Sequence, residues 1–135
     1  MARLIVLDAS VAVAALARDD VHHRAASAAL TSAGDDELVL AATTRAEILL
    51  GPTRVGGQAL RGARDFVDAC ATIPISAGLA DDAAALKAAH PPLSLPDAPA
   101  LSVARLIEAD LMWTFDRRWP SVDPRVRIPI APTHG

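Results

Sequence analysis

Apolar positions along this chain fall into two kinds of run. Arg3-Leu-Ile-Val-Leu7, Glu37-Leu-Val-Leu-Ala41 and Leu111 to Phe115 are short and continuous, as strands buried on both faces of a parallel sheet require. Ala71-Thr-Ile-Pro-Ile75 and Val126-Arg-Ile-Pro-Ile130 read as shorter strands, the first at an edge because Pro74 cannot donate to a ladder. Between these runs the apolar residues take helical spacing: from Val11 to Ala17, from Asp19 to about Ser32, from Thr43 until Gly51-Pro52 stops it, from Gln58 to Cys70, and from Ser76 to about Ala89. A last helix opens at Asp97, with apolar residues at Ala98, Leu101 and Ala104 and at Val103, Leu106 and Ile107. Strands alternating with helices predict one α/β sandwich over residues 1–135.

Composition narrows the class. A hydrophobic fraction of 52% in 135 residues is enough for a sizeable core and excludes a disordered chain. No apolar run is long enough to cross a bilayer, and the first residues lack a charged-then-apolar signal, so no membrane partner is expected. A single cysteine, Cys70, rules out an internal disulfide and a CxxC knuckle and suits the cytoplasm. The net charge of −3 exerts no bulk pull on nucleic acid, so a polyanionic partner would need a local basic patch or a bound cation.

Several polar positions admit two readings. Asp8 or Ser10 would cap the helix that follows; alternatively Asp8 stands at the carboxyl end of a central strand, where open α/β sheets place ligands, with Ser10 orienting it. Thr44 and Glu47 fit a capping box, which would account for Glu47 without chemistry, or Glu47 is functional. His22 and His23 are adjacent, do not share a helix face, and are read as solvated. Arg61 with Asp65 and Arg64 with Asp68 have the spacing of ion pairs on a solvent-facing helix. Gly51 to Gly57 lacks the Lys and hydroxyl of a phosphate loop and follows a helix, so that motif is rejected. Arg117 and Arg118, beside Asp116, are either an ordinary solvated loop or a grip on a phosphate backbone.

The set Asp8, Glu47, Asp97 and Asp116, with Ser10 and Thr114 two residues from the acids that follow strands, resembles the PIN-domain nucleases, above all the small VapC-type toxins. The likeness covers nearly the whole chain and is firmest at Leu-Asp8-Ala-Ser10 and from Leu-Pro-Asp97 to Thr-Phe-Asp116. It implies a three-layer α/β/α sandwich with a mainly parallel sheet of about five strands, the first and fourth side by side. It also implies Mg²⁺ or Mn²⁺ held by Asp8, Asp97 and Asp116, with Glu47 positioning a second ion or the attacking water and Ser10 and Thr114 bracing the carboxylates. The implied activity is hydrolysis of RNA to 5′-phosphate and 3′-hydroxyl ends, with a homodimer and a VapB-type antitoxin as protein partners. Two departures stand out. Pro99 falls in the first turn of the Asp97 helix, where a proline is tolerated. Arg117-Arg118 replaces a further acid common in relatives, which counts against a full two-metal site. The other classes are a haloacid-dehalogenase-like phosphatase, which would want an acid at Ser10 and a lysine where only Lys87 is available, and a non-catalytic binding module.

Overall fold

A computed structural model of the chain describes residues 2–133. Five parallel strands, β1 (Leu4–Leu7), β2 (Glu37–Ala41), β3 (Ala71–Ile73), β4 (Leu111–Trp113) and β5 (Val126–Arg127), form one sheet in the order β3-β2-β1-β4-β5. The chain therefore builds outward from β1 in one direction and then returns to its other side. The switch point lies between β1 and β4, which pair as Ile5–Leu111, Val6–Met112 and Leu7–Trp113. β3 and β5 end before the predicted limits, at the residues leading into Ile73-Pro74 and Ile128-Pro129, because a proline nitrogen has no hydrogen to extend the ladder.

Alternation along the strands creates two cores. Val6, Val39, Ala41 and Met112 face α5 (Ala77–Ala89) and α6 (Ala98–Leu106). Ile5, Leu7, Leu40 and Trp113 face the layer of α1 (Ala9–Leu16), α2 (His23–Ala33), α3 (Ala42–Val55) and α4 (Gly57–Asp68). This is the predicted three-layer α/β/α arrangement. Among the described residues, no helix is long and apolar enough to cross a membrane.

Local differences from the sequence reading have identifiable causes. α3 does not stop at Gly51-Pro52 but runs through Pro52 to Val55. A proline near a helix end sacrifices little of the ladder, and the stop comes at Gly56, whose φ of 77° favours glycine and whose N–H donates to the Pro52 carbonyl at 2.8 Å. The predicted Arg64–Asp68 pair gives way to a bond across helices, Arg45 to Asp68 at 2.6 Å, and no ion pair joins Arg61 to Asp65 among the described residues. Arg45 also donates to the Val67 carbonyl, so one guanidinium serves both a carboxylate and the end of α4. His23 is half-buried rather than solvated; its Nδ1 lies 2.9 Å from the Ala14 carbonyl and ties α2 to α1.

Helix α6 buries every residue from Ala98 to Ala104, Pro99 in its first turn included. Leu101 is fully buried in the α5–α6 core. Leu101→Ala should cost about 2–5 kcal/mol by leaving a cavity that rigid neighbours cannot fill, measured as the change in urea unfolding free energy. A cost below about 0.5 kcal/mol, the range of an ordinary surface change, would contradict that packing.

Candidate active site

The site grows from the carboxyl ends of β1 and β4. Asp8 directly follows β1, is 6% exposed, and donates its backbone N–H to the Trp113 carbonyl at 2.9 Å. It occupies the N-cap position of α1, yet its side chain makes no capping bond. The carboxylate turns instead towards two hydroxyls. Ser10 Oγ donates to Asp8 Oδ2 at 2.6 Å, and Thr114 Oγ1, fully buried, donates to the same oxygen at 3.0 Å.

Each hydroxyl also accepts a main-chain N–H from the segment after β4. Phe115 N–H donates to Ser10 Oγ and Asp116 N–H donates to Thr114 Oγ1, both at 3.1 Å. The two side chains thus staple the ends of β1 and β4 together through Asp8 Oδ2. They satisfy that oxygen, and the Ser10 main-chain N–H also acts on the carboxylate.

The remaining acids arrive from α3, α6 and the loop after β4. For Glu47 the sequence left a capping box and a functional role open, but α3 begins at Ala42, with Ala41 at the N-cap and no side-chain cap. β2 passes straight into α3 without a loop, which puts Thr44 inside the helix, buried, and Glu47 in its second turn. The structural explanation for Glu47 therefore falls away. Asp97 is at the N-cap position of α6, again without a capping bond from its side chain. Ser94 Oγ donates to Asp97 Oδ2 and accepts the Asp97 N–H at 3.2 Å, while the Ser94 carbonyl accepts from Ala98. Sequence reading missed Ser94, although a serine three residues ahead of an acid at a helix start is a recognisable signal.

Three of these acids act on one another. Burial pushes the Asp8 carboxyl above its usual range and Asp97 adds to the rise, against the pull of the Ser10 and Thr114 hydroxyls. Glu47 is exposed as a residue, but desolvation of its carboxyl, then the charges of Asp97 and Asp8, raise it to about 7. Asp116 stands apart. The Arg118 side chain beside it, donating from Nε at 3.0 Å and from Nη2 at 2.7 Å, holds its carboxyl below the usual range. Among the described residues, no three His, Cys, Asp or Glu side chains are gathered as a ready-made metal cage.

The sequence-predicted residues are therefore brought to one end of the sheet, but in two groups. Asp8, Glu47 and Asp97 form the mutually repelling group, with Ser10 and Thr114 bracing it; Asp116 is paired with Arg118, and Arg117 is exposed next to it. His22, read as solvated, is half-buried and stacked on Phe115 with ring centroids 4.2 Å apart and planes 7° from parallel. This contact joins the loop before α2 to the residue preceding Asp116, and no local sequence pattern announces it.

Acids at the switch point of a five-stranded parallel sheet stand where open α/β proteins place their ligands. The PIN domain family matches residues 5–124, and the chain belongs to it. Solved structures share the fold. VapC20 of Mycobacterium tuberculosis, described as a toxin that cleaves the sarcin–ricin loop, superposes with a TM-score of 0.72 at 20% identity over 87% of this chain and 93% of its own. A toxin–antitoxin complex from Klebsiella pneumoniae gives 0.77 at 22% identity over 93% and 98%. VapBC2 of Rickettsia felis, bound to a DNA fragment from its promoter, gives 0.69 at 12% identity over 94% and 99%. No curated protein sequence matches the chain.

The raised Glu47 carboxyl has a pH consequence. The folded protein keeps a proton that the unfolded chain releases near 4.5, so its contribution to stability is complete below that pH and is lost as pH rises through about 7. Glu47→Gln cannot titrate and should flatten this decline. Urea midpoints measured in EDTA from pH 4.5 to 8 test it; equal slopes for the two proteins would remove Glu47 from the interacting group.

Proposed function

We propose that this PIN-domain chain is a metal-dependent endoribonuclease and the toxin of a VapBC-type toxin–antitoxin pair. The observation that carries the reading is the group Asp8–Glu47–Asp97 at the switch point of the sheet, where burial and then the charge of Asp97 raise the carboxyls of Asp8 and Glu47. An all-oxygen set that resists losing its protons gains most from a hard divalent cation. The residues therefore fit Mg²⁺ or Mn²⁺: Asp8, Asp97 and Asp116 would hold it. When bound, such an ion polarises a phosphodiester and lowers the pKa of water.

The chain's own residues supply the rest. Ser10 and Thr114 fix the Asp8 carboxylate in one orientation, as groups behind metal ligands do. Glu47, whose carboxyl lies within the field of Asp97 and Asp8, would position the attacking water or a second ion. In-line attack forms a new P–O bond and breaks the bond from phosphorus to the 3′ oxygen, which leaves as a 3′-hydroxyl and yields a 5′-phosphate. Arg117 and Arg118, both exposed beside Asp116, would grip the flanking RNA backbone.

The structural neighbours that are toxins, or complexes of toxin with antitoxin, support a cognate VapB-type antitoxin. A homodimer follows from the same family reading. The phosphatase alternative fares worse, since Ser10 is committed to Asp8 and the Lys87 ammonium donates to the Pro91 carbonyl beyond the end of α5. A non-catalytic module would have no need of Glu47, whose place in α3 has no structural role.

Purified protein incubated with total cellular RNA and Mn²⁺ or Mg²⁺ should produce fragments with 5′-phosphate ends. EDTA and Asp116→Ala should each abolish them. Cleavage that survives EDTA, or ends carrying a 2′,3′-cyclic phosphate, would contradict the proposed chemistry.

A further inference from the structure

Arg118 is bound to Asp116 three times over. Its main-chain N–H donates to Oδ1 at 3.0 Å, Nε donates to the same oxygen at 3.0 Å, and Nη2 donates to Oδ2 at 2.7 Å. Both carboxylate oxygens are thereby engaged by one planar fork, the geometry in which guanidinium recognises an oxyanion best. The same arginine also feels the charge of Asp97. A cation is therefore already built into the chain beside the acids.

We propose that Arg118 is a latch on the metal site: Arg118 and a divalent ion are alternative partners for the Asp116 carboxylate, and the ion's arrival releases the guanidinium to bind an RNA phosphate. This rests on the metal-dependent reading above and adds an order of events to it. Three facts on the residue make the exchange workable. Asp116 and Arg118 side chains are 22% and 62% exposed, and ion pairs of that exposure are weak, so the pair orients Asp116 without locking it. The bond from the main-chain N–H of Arg118 does not depend on the guanidinium and keeps Asp116 in place after the side chain leaves. The freed fork has the same preference for a phosphate as for a carboxylate, so the group displaced by the ion is one the substrate can use.

A ligand that binds only the open form has its affinity reduced by the open fraction. Removing the latch should therefore tighten metal binding and weaken substrate binding at once, an opposition that loss of a merely structural residue does not produce. Mn²⁺ titrated calorimetrically into the full chain without RNA reads the first effect. Arg118→Ala should bind Mn²⁺ about three- to tenfold more tightly than the unaltered protein. Arg117→Ala removes the same charge one residue away and should shift Mn²⁺ affinity less than about twofold, because its effect is through solvent alone. At saturating Mn²⁺, Arg118→Ala should show a raised KM for RNA.

Equal Mn²⁺ affinity in all three proteins overturns the latch and leaves the metal reading standing. Equal tightening in both arginine variants overturns it in favour of a general field effect. No Mn²⁺ binding by any of the three overturns the metal reading itself, and the latch with it.

Discussion

Asp8 Oδ2 is the point on which the site depends. One oxygen accepts from Ser10 and Thr114, and those hydroxyls in turn hold the backbone after β4. A carboxylate taken this far out of water survives only with such donors. The same bonds couple the ends of β1 and β4, adjacent only because the sheet order places the switch point between them. Fold and site are thus joined by two hydroxyl groups. Removing either frees a main-chain N–H and takes one of the two hydroxyl donors from Asp8 Oδ2.

Around this anchor, charges are distributed unevenly. Burial and the charge of Asp97 raise the carboxyls of Asp8 and Glu47, whereas Asp116 is neutralised locally by Arg118. Repulsion within the first group is a standing cost of the fold that a cation would lift. Such an arrangement is poor as architecture and sensible as chemistry, the usual mark of a functional site. The hydrogen bonds to Asp97 from Ser94 and to Asp8 from two hydroxyls place the carboxylates while leaving oxygens available.

Much of this was legible in the residues. Continuous apolar runs marked β1, β2 and β4 because strands covered on both faces cannot afford polar positions, and acids at their ends and at helix starts marked the site. Asp8, Ser10, Asp97, Thr114 and Asp116 were singled out as candidates through that pattern together with the likeness to the PIN-domain set. The misreadings share one cause, which is that local patterns compete with tertiary geometry. Thr44 and Glu47 have capping-box spacing, but β2 turns directly into α3 and moves the helix start ahead of them. Asp68 has a partner at helical spacing, yet finds Arg45 across the helix pair. His22 looked like a solvent residue until the fold set it against Phe115. Arg118 was noticed for its charge, but whether it would face substrate or Asp116 depends on how the loop after β4 turns.

The most direct test of the account is the thermal shift produced by Mn²⁺, measured at fixed ionic strength in the unaltered protein and in Asp8→Asn. Preferential binding to the folded acid group predicts a rise in Tm that grows with Mn²⁺ concentration in the first protein and is largely lost in the second. The variant should also melt higher than its parent in EDTA, since it removes a buried charge and its repulsion with Asp97. An equal Mn²⁺ shift in both proteins, or none in either, would contradict the claim that these carboxylates are gathered for a cation.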